Sequence, residues 1–410
     1  MSDSALARDK ADSLADLKEL FQLPAGVVYL DGNSLGALPR AVTAAVKDVV
    51  EHQWGDDLIT SWNAHDWIRL PNLVGEKLAP LIGAAPGQVL CSDSISVNLF
   101  KLLATAIELN TGRRIILAVD EDFPTDAYIA QGLSQMLGED RCELRRVAAQ
   151  DVQAALSDDV AVLMLTEVNY RSGERHDMQA LTDAAHAAGA LVLWDLAHSA
   201  GVLPIELDRR GVDLAVGCGY KYFNGGPGAP AFLYVNKRHH ARARQPLSGW
   251  LGHQDPFAFA SDYEAAGGVQ HYQAGTPGII SMAALNAALD VFQRVSIEQL
   301  REKSLALTDF FIEGIETRGL LASLECITPR EHHRRGSQVS LRYEHAWGLS
   351  QALIEAQVIV DFRATDIVRF GFSPLYNSFS DAQKALDVLE EILVKGLHLD
   401  DRFATRPTVT

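Results

Sequence analysis

From about residue 89 to residue 235 short apolar runs alternate with amphipathic stretches, and this alternation limits the possible folds more than any other feature of the chain. The runs VLCSD, RRIILAV, AVLMLTEV and ALVLWD are separated by helical patterns near 97–109, 125–137 and 179–188. Strands that alternate with helices of this length imply βαβ units and a mainly parallel sheet buried on both faces. Two more strands are expected around 213–217 and 231–235. In such sheets ligands bind beyond the carboxyl ends of the strands, which is where Asp195 falls at the end of LVLWD.

Past about Ser281 the pattern changes to long helices over 281–292 and 297–318, short strands near Leu324, Val339 and Ile367, and a final helix over 381–395. The expectation is therefore an α/β large domain with helices on both sheet faces, plus a smaller α+β domain. Pro39 is expected to start a helix after YLDGNSLGALP. The boundaries read as an N-terminal segment (1–50) packing with the small domain, a large domain (51–285) and a small C-terminal domain (286–410). The tail from Asp400 reads as mobile.

The 410 residues, 48% of them apolar, suit a soluble enzyme with a large core. With 36 basic against 53 acidic residues the net charge of −17 disfavours nucleic acid and anionic membranes as partners and leaves small molecules. Cys91, Cys142, Cys218 and Cys326 lie far apart without a CxxC pair, so no zinc site is expected and a reducing compartment is. The charged, amphipathic N-terminus has no apolar stretch of signal-peptide length, and no apolar run reaches membrane-spanning length. These features point to a cytoplasmic, untethered protein.

Between Val216 and Gly228 the chain reads VGCGYKYFNGGPG, with WDLAHSAG upstream. Lys221 on a glycine-rich turn, with Asp195 and His198 delivered from a preceding strand end, suits a Schiff-base site for pyridoxal phosphate. As an imine-forming residue Lys221 needs a neutral amine for part of its cycle, which burial favours; the alternative is an ordinary surface lysine. Asp195 suits the pyridine nitrogen, or else caps a strand-to-helix turn. His198 suits the ring's neighbourhood, or else simply packs.

A phosphate needs convergent donors. Ser94, Ile95 and Ser96 precede a helical pattern, so the Ile95 and Ser96 amides and the Ser96 hydroxyl qualify, though a plain helix cap also explains the serines. GPGAPA at Gly226 fits GxGxxA but precedes a strand, and no GxxxxGK[ST] occurs. Arg369, in IVRFGFSPLYNSF, suits a substrate carboxylate or a structural salt bridge. Trp62, Trp67 and Trp250 either flank an aromatic ligand or pack in the core.

Together YLDGNSLG, DFPTD, WDLAHSAG, YKYFNGGPG, LSGWLGH and VRFGFSPLYNSF, in this order from about residue 27 to about 395, resemble the kynureninases, pyridoxal-phosphate enzymes of fold type I in the class V aminotransferase group. The resemblance implies a large domain of the seven-stranded type and hydrolytic Cβ–Cγ cleavage of L-kynurenine to anthranilate and L-alanine in tryptophan catabolism and NAD biosynthesis. It also implies that Lys221 carries the cofactor, Asp195 binds its ring nitrogen and His198 neighbours the ring. Phe123 would stack on the ring, with Asp126 and Thr166 beside it. Ile95, Ser96 and Tyr220 would hold the phosphate with Trp250 and Thr276, the last two from the other subunit of a homodimer with shared active sites. Arg369 would bind the substrate carboxylate, and Ser34 and Trp62 would lie near the substrate side chain. Animal members have asparagine where this chain has Thr276 and a histidine near Trp62, which favours kynurenine over 3-hydroxykynurenine, the latter a further possible substrate. Tyr220 is the expected proton donor and Lys221 the expected proton shuttle. The rival reading, a cysteine desulfurase or selenocysteine lyase, calls for a catalytic cysteine on the small domain and a histidine before the lysine; here Tyr220 precedes it and Cys326 is the only small-domain thiol.

Overall fold

The computed structural model describes residues 2–403, with side chains from Ser4 onward. Its central sheet has seven strands in the order Val89–Cys91, Ala231–Val235, Leu214–Cys218, Leu191–Asp195, Val160–Thr166, Ile115–Val119, Glu143–Val147. Ala231–Val235 runs antiparallel to both neighbours, and the other adjacent pairs are parallel. Ile115–Val119, Val160–Thr166, Leu214–Cys218 and Ala231–Val235 are buried along their whole length, which is why they read as unbroken apolar runs: helices cover both faces. The sequence pattern missed Glu143–Val147, whose ELRRV is only half-buried. Charged residues suit its place at the sheet edge, where they discourage pairing with another chain.

The helices that aim at the strand ends have defined starts. Ile95–Leu109 begins two residues ahead of the expected position, because the Ser94 hydroxyl accepts a bond from the Val97 amide at 3.4 Å. Pro124–Leu137 opens on proline with Phe123 as its cap residue. Met178–Ala187 is capped by Asp177, which accepts from the Ala180 amide at 3.0 Å.

A second, antiparallel sheet follows, in the order Glu325–Cys326, Gln338–Arg342, Ile367–Gly371, Asp361–Arg363. Helices Ile297–Thr317, Ala346–Glu355 and Phe379–Lys395 share a core with it. The first and last of these helices start with full capping boxes, Ser296 with Gln299 and Ser378 with Asp381. The helix expected over 281–292 is Ile279–Ala288, continued by the 3-10 segment Leu289–Arg294. Val358–Ile359 and Asp361–Arg363 are too short for alternation to reveal them.

The chain crosses between the two cores repeatedly. Ala5, Val28 and Leu30 lie in the core of the second sheet, whereas Leu14, Leu17, Phe21 and Ala37 lie in that of the first. Val28–Tyr29 pairs in parallel with Val358–Ile359. Helix Ile297–Thr317 puts Ile297 and Leu300 into the first core and Leu307 and Phe311 into the second. Pro39 sits at the cap position of Arg40–Asp48, one residue ahead of the helix. The tail is docked as far as Phe403, whose carbonyl accepts the Trp347 indole N–H at 2.7 Å, contrary to the mobility expected from Asp400; residues 404–410 lie outside the described residues. Among the described residues no helix is long and apolar enough to cross a membrane, and no cluster of side chains could hold a metal ion.

Candidate active site

A cavity of about 490 Å³ lies beyond the carboxyl ends of the central strands, between Thr166 and Asp195 on one side and the first turn of Ile95–Leu109 on the other. Lys221 enters it from the loop after Leu214–Cys218. That loop turns back through the Gly225 amide, which bonds the Gly219 carbonyl at 2.8 Å, and through Asn224 at φ 58°. Lys221 Nζ is 3.0 Å from His198 Nε2. Burial lowers the lysine's pKa, against the opposing pull of Cys218 and Asp195. Burial, and next the neighbouring lysine, hold His198 well below its usual range, so the imidazole is neutral; its Nδ1 is buried without a protein partner.

Tyr220 lines the same cavity, and burial raises its phenol pKa so that it keeps its proton at neutral pH. Its carbonyl accepts the Gly36 amide at 2.8 Å. A β-carbon at Gly36 would lie 2.3 Å from the Lys221 carbonyl oxygen and 2.4 Å from Asn224 Oδ1, so the last glycine of YLDGNSLG lets the N-terminal segment close on the lysine loop.

Asp195 is buried. One of its oxygens accepts the Ala197 amide at 2.8 Å, so the turn-capping role that the sequence also allowed is present. Asp126 stands beside it in the first turn of Pro124–Leu137. Burial raises both carboxyls, Asp126 well above the usual range with the Asp195 charge as its next cause, and Asp126 Oδ1 has no partner. The Thr166 hydroxyl and amide donate to Asp122 at 2.5 and 2.9 Å; burial lifts Asp122 to a pKa of about 7. Phe123 is 43% exposed at the cavity and meets Tyr170 edge-on at 5.2 Å. Ile95 and Ser96 face the cavity as the first residues of their helix, where amides have no preceding turn to bond.

The cavity and its unmatched polar atoms fit pyridoxal phosphate. A buried lysine of low proton affinity can link to an aldehyde. A buried acid pair can accept a ring N–H, and a 15-residue helix points its N-terminus where a phosphate would sit.

Five of the sequence-derived candidates lie outside the lining of this cavity in the single chain. Arg369 is fully buried behind the cavity wall and bound to Asp361, the Tyr170 carbonyl (2.6 Å) and the Ser34 hydroxyl (3.0 Å), so Ser34 is drawn to the arginine. Trp62 packs edge-on against Trp67 at 5.9 Å. Trp250 is exposed and meets Phe257 at 5.7 Å; Thr276 is exposed beside a neighbouring cleft. Reading the sequence missed Asp122, Tyr170, Asp361 and Arg363. The first two follow directly from being next to a strand end or within DFPTD. The other pair needs the strand Asp361–Arg363, which no pattern disclosed.

The family model described as the kynureninase C-terminal domain matches residues 300–389. A kynureninase of Burkholderia pseudomallei (strain 1106a) is 49% identical over 413 residues, covering 100% of this chain and 99% of that protein. The chain belongs to the kynureninase family. A second kynureninase, from Deinococcus radiodurans, is 50% identical over 392 residues, with 94% of this chain and 95% of that protein covered. Among solved structures, a cysteine desulfurase from Thermococcus onnurineus superposes with a TM-score of 0.78 at 20% identity over 93% of this chain and 98% of that one. The cysteine desulfurase CsdA of Escherichia coli gives 0.78 at 18% identity, over 93% and 99%. At that identity the likeness shows the shared fold, so the chain has the type I architecture of pyridoxal-phosphate enzymes. Its cavity is lined by no cysteine among the described residues, and Cys326 Sγ faces the Thr328 carbonyl at 3.8 Å.

Proposed function

We propose that the chain hydrolyses L-kynurenine to anthranilate and L-alanine with pyridoxal phosphate in this cavity. The observation that carries the proposal is the buried Lys221 amine 3.0 Å from His198 Nε2, in one cavity with Asp195 and Asp126, in a chain 49% identical to a kynureninase. The reaction adds water to the γ-carbonyl carbon, breaks the Cβ–Cγ bond and protonates Cβ. When bound, the cofactor supplies an electron sink for the carbon atoms of the amino acid.

The chain's own groups do the rest. Lys221 would hold the cofactor through its aldehyde, and its free amine would be the base that takes the Cα proton on Nζ. Burial lowers its proton affinity, which favours the free amine, and His198 Nε2 lies 3.0 Å from it. Asp195 would hold the cofactor's ring nitrogen, with Asp126 and Thr166 alongside. Phe123 would flank the ring, and the Ile95 and Ser96 amides with Tyr220 would hold the phosphate. Tyr220, kept protonated by burial, donates a proton during hydration or to Cβ. Arg369 and Ser34 receive the substrate carboxylate end, and Trp62 the aromatic end.

We also propose a cytoplasmic homodimer in which Trp250 and Thr276 complete the partner's phosphate site. The exposed aromatic group Trp250, Phe257 and Phe259 supports an interface there. The segment 1–50 is proposed to pack with the small domain (286–410) through Ala5, Val28 and Leu30, while its Leu14, Leu17, Phe21 and Ala37 also reach the core of the large domain (51–285); the proposed place of the reaction is tryptophan catabolism and NAD biosynthesis.

Incubating the holoenzyme with L-kynurenine while following anthranilate fluorescence tests the reaction. Product with L-kynurenine, slower with 3-hydroxykynurenine, is expected; sulfide release from cysteine with neither kynurenine cleaved would overturn it in favour of a desulfurase. For Tyr220→Phe, turnover and solvent isotope effects equal to the parent's would remove the tyrosine from the proton path.

A further inference from the structure

Apart from Lys221, which the cofactor's aldehyde would occupy, no lysine or arginine among the described residues lines the cavity. A phosphate at its helix end would bring up to two negative charges, and the Ile95 and Ser96 amides answer with only the partial charge of a helix start. Asp93, two residues ahead of that helix, works against them: it lines the cavity, and its side chain is 32% exposed. Its place is fixed, because its backbone turns through φ 51° and its carbonyl accepts the Ala231 amide at 2.8 Å. Asp93 also lines the neighbouring cleft that holds Thr276, so it stands on the wall shared by the two.

One cation answers this carboxylate. Lys101, in the second turn of Ile95–Leu109, is fully buried, and its Nζ meets Asp93 Oδ2 at 2.6 Å. Long side chains on a helix run back toward its N-terminus, so a lysine in the second turn reaches a carboxylate ahead of the first. The same ammonium donates to the Tyr272 carbonyl at 2.5 Å, and the Tyr272 hydroxyl lies 2.9 Å from Thr105 Oγ1. Lys101 and Thr105 are one turn apart and share a helix face, so Tyr272 is held at both ends and in turn holds the ammonium beside Asp93. No other acid forms an ion pair with Lys101 among the described residues. Lys101 does not line the cavity, so its effect on a phosphate there passes through Asp93.

We propose that Lys101 is a positioning residue for the cofactor's phosphate: it neutralises Asp93, which would otherwise repel a phosphate at the start of Ile95–Leu109. Without the ammonium, a bare carboxylate faces a cavity of low dielectric, where like charges repel far more than in water. This role rests on the placement of the phosphate at Ile95 and Ser96 proposed above.

The cofactor-free protein is titrated with pyridoxal phosphate and with pyridoxal, which differ in the phosphate alone, and dissociation constants are read from the absorbance of the bound ring. Lys101→Met should weaken pyridoxal phosphate roughly tenfold to a hundredfold and shift pyridoxal less than about twofold. Lys101→Gln, which keeps a donor without the charge, should do the same and serves if Lys101→Met does not fold. Adding Asp93→Asn to either variant should return most of the lost preference for the phosphorylated ring, because the repelling charge is gone. An equal loss for both rings, no loss for pyridoxal phosphate, or no rescue by Asp93→Asn overturns the proposal. Ser96→Pro removes an amide and a hydroxyl in a first helical turn, where proline is tolerated. If it leaves the preference unchanged, the placement of the phosphate fails and the role of Lys101 with it; if it lowers the preference while Lys101→Met does not, only the role of Lys101 falls.

Discussion

Lys221, Asp195 and Asp126 line one cavity in which burial lowers the proton affinity of the lysine and raises that of the two carboxyls. Lys221→Ala is expected to abolish turnover and to leave a protein on which borohydride fixes no cofactor; a cofactor still reducible onto the variant would exclude Lys221 as the attachment point. Asp122 gives a pH signature. In the unfolded chain it loses its proton near the ordinary carboxyl value of 3.8, but in the folded protein it keeps it to about 7. The folded state therefore holds more protons between those values, and stability falls as pH rises from about 4 through about 7. Asp122→Asn should remove that decline in the cofactor-free protein, about 3 kcal/mol between pH 5 and pH 8, measured as urea unfolding. Lys221, Asp195 and Asp126 could be nominated from the sequence because chemically expressive side chains are contiguous in blocks such as DFPTD and WDLAHSAG, although Asp122 in the first of these was passed over. Arg363 and Asp361 could not be nominated, because their meaning lies in a cross-strand pairing with Arg369.

At the scale of elements, the strands with both faces covered were the easiest to read and the edge and two-residue strands the hardest. Burial on both faces writes an apolar run into the sequence, whereas ELRRV answers to solvent and to one neighbour. The start of Ile95–Leu109 was misplaced by two residues because Ser94 and Ser96 can both cap, and only the bond to Val97 decides between them. Caps also give a clean stability test away from the chemistry. In Phe379–Lys395 the Ser378 hydroxyl accepts the Asp381 amide at 3.1 Å, and Asp381 returns a bond to the Ser378 amide at 2.9 Å. Ser378→Ala should cost about 1 kcal/mol in unfolding free energy with kcat unchanged. A large fall in kcat would mean that this helix start also tunes the nearby PLYNSF segment.

For the whole molecule, the exposed positions of Trp250 and Thr276 lead to a mixing experiment. Lys221→Ala and Trp250→Ala chains, each feeble alone, should recover on mixing up to about a quarter of parental activity, because random two-chain pairing restores one complete site in half of the dimers. No recovery, with exchange verified by differently tagged chains, would mean that each chain builds its site alone. The general α/β plan and the change of pattern beyond Ser281 were legible because they extend over many residues. The crossing of the chain between the two cores was not, since single positions such as Ala5, Leu14 and Leu30 carry it.

That crossing limits how the family can recombine. Residues before Pro39 fill both cores, and Gly36 closes on the lysine loop with no room for a β-carbon. A chimera joined near residue 51 would therefore bring a foreign wedge to two hydrophobic interiors and one reactive turn together. Inheritance of the first forty residues should follow that of Lys221 and of the C-terminal third, as one block exchanged intact or not at all.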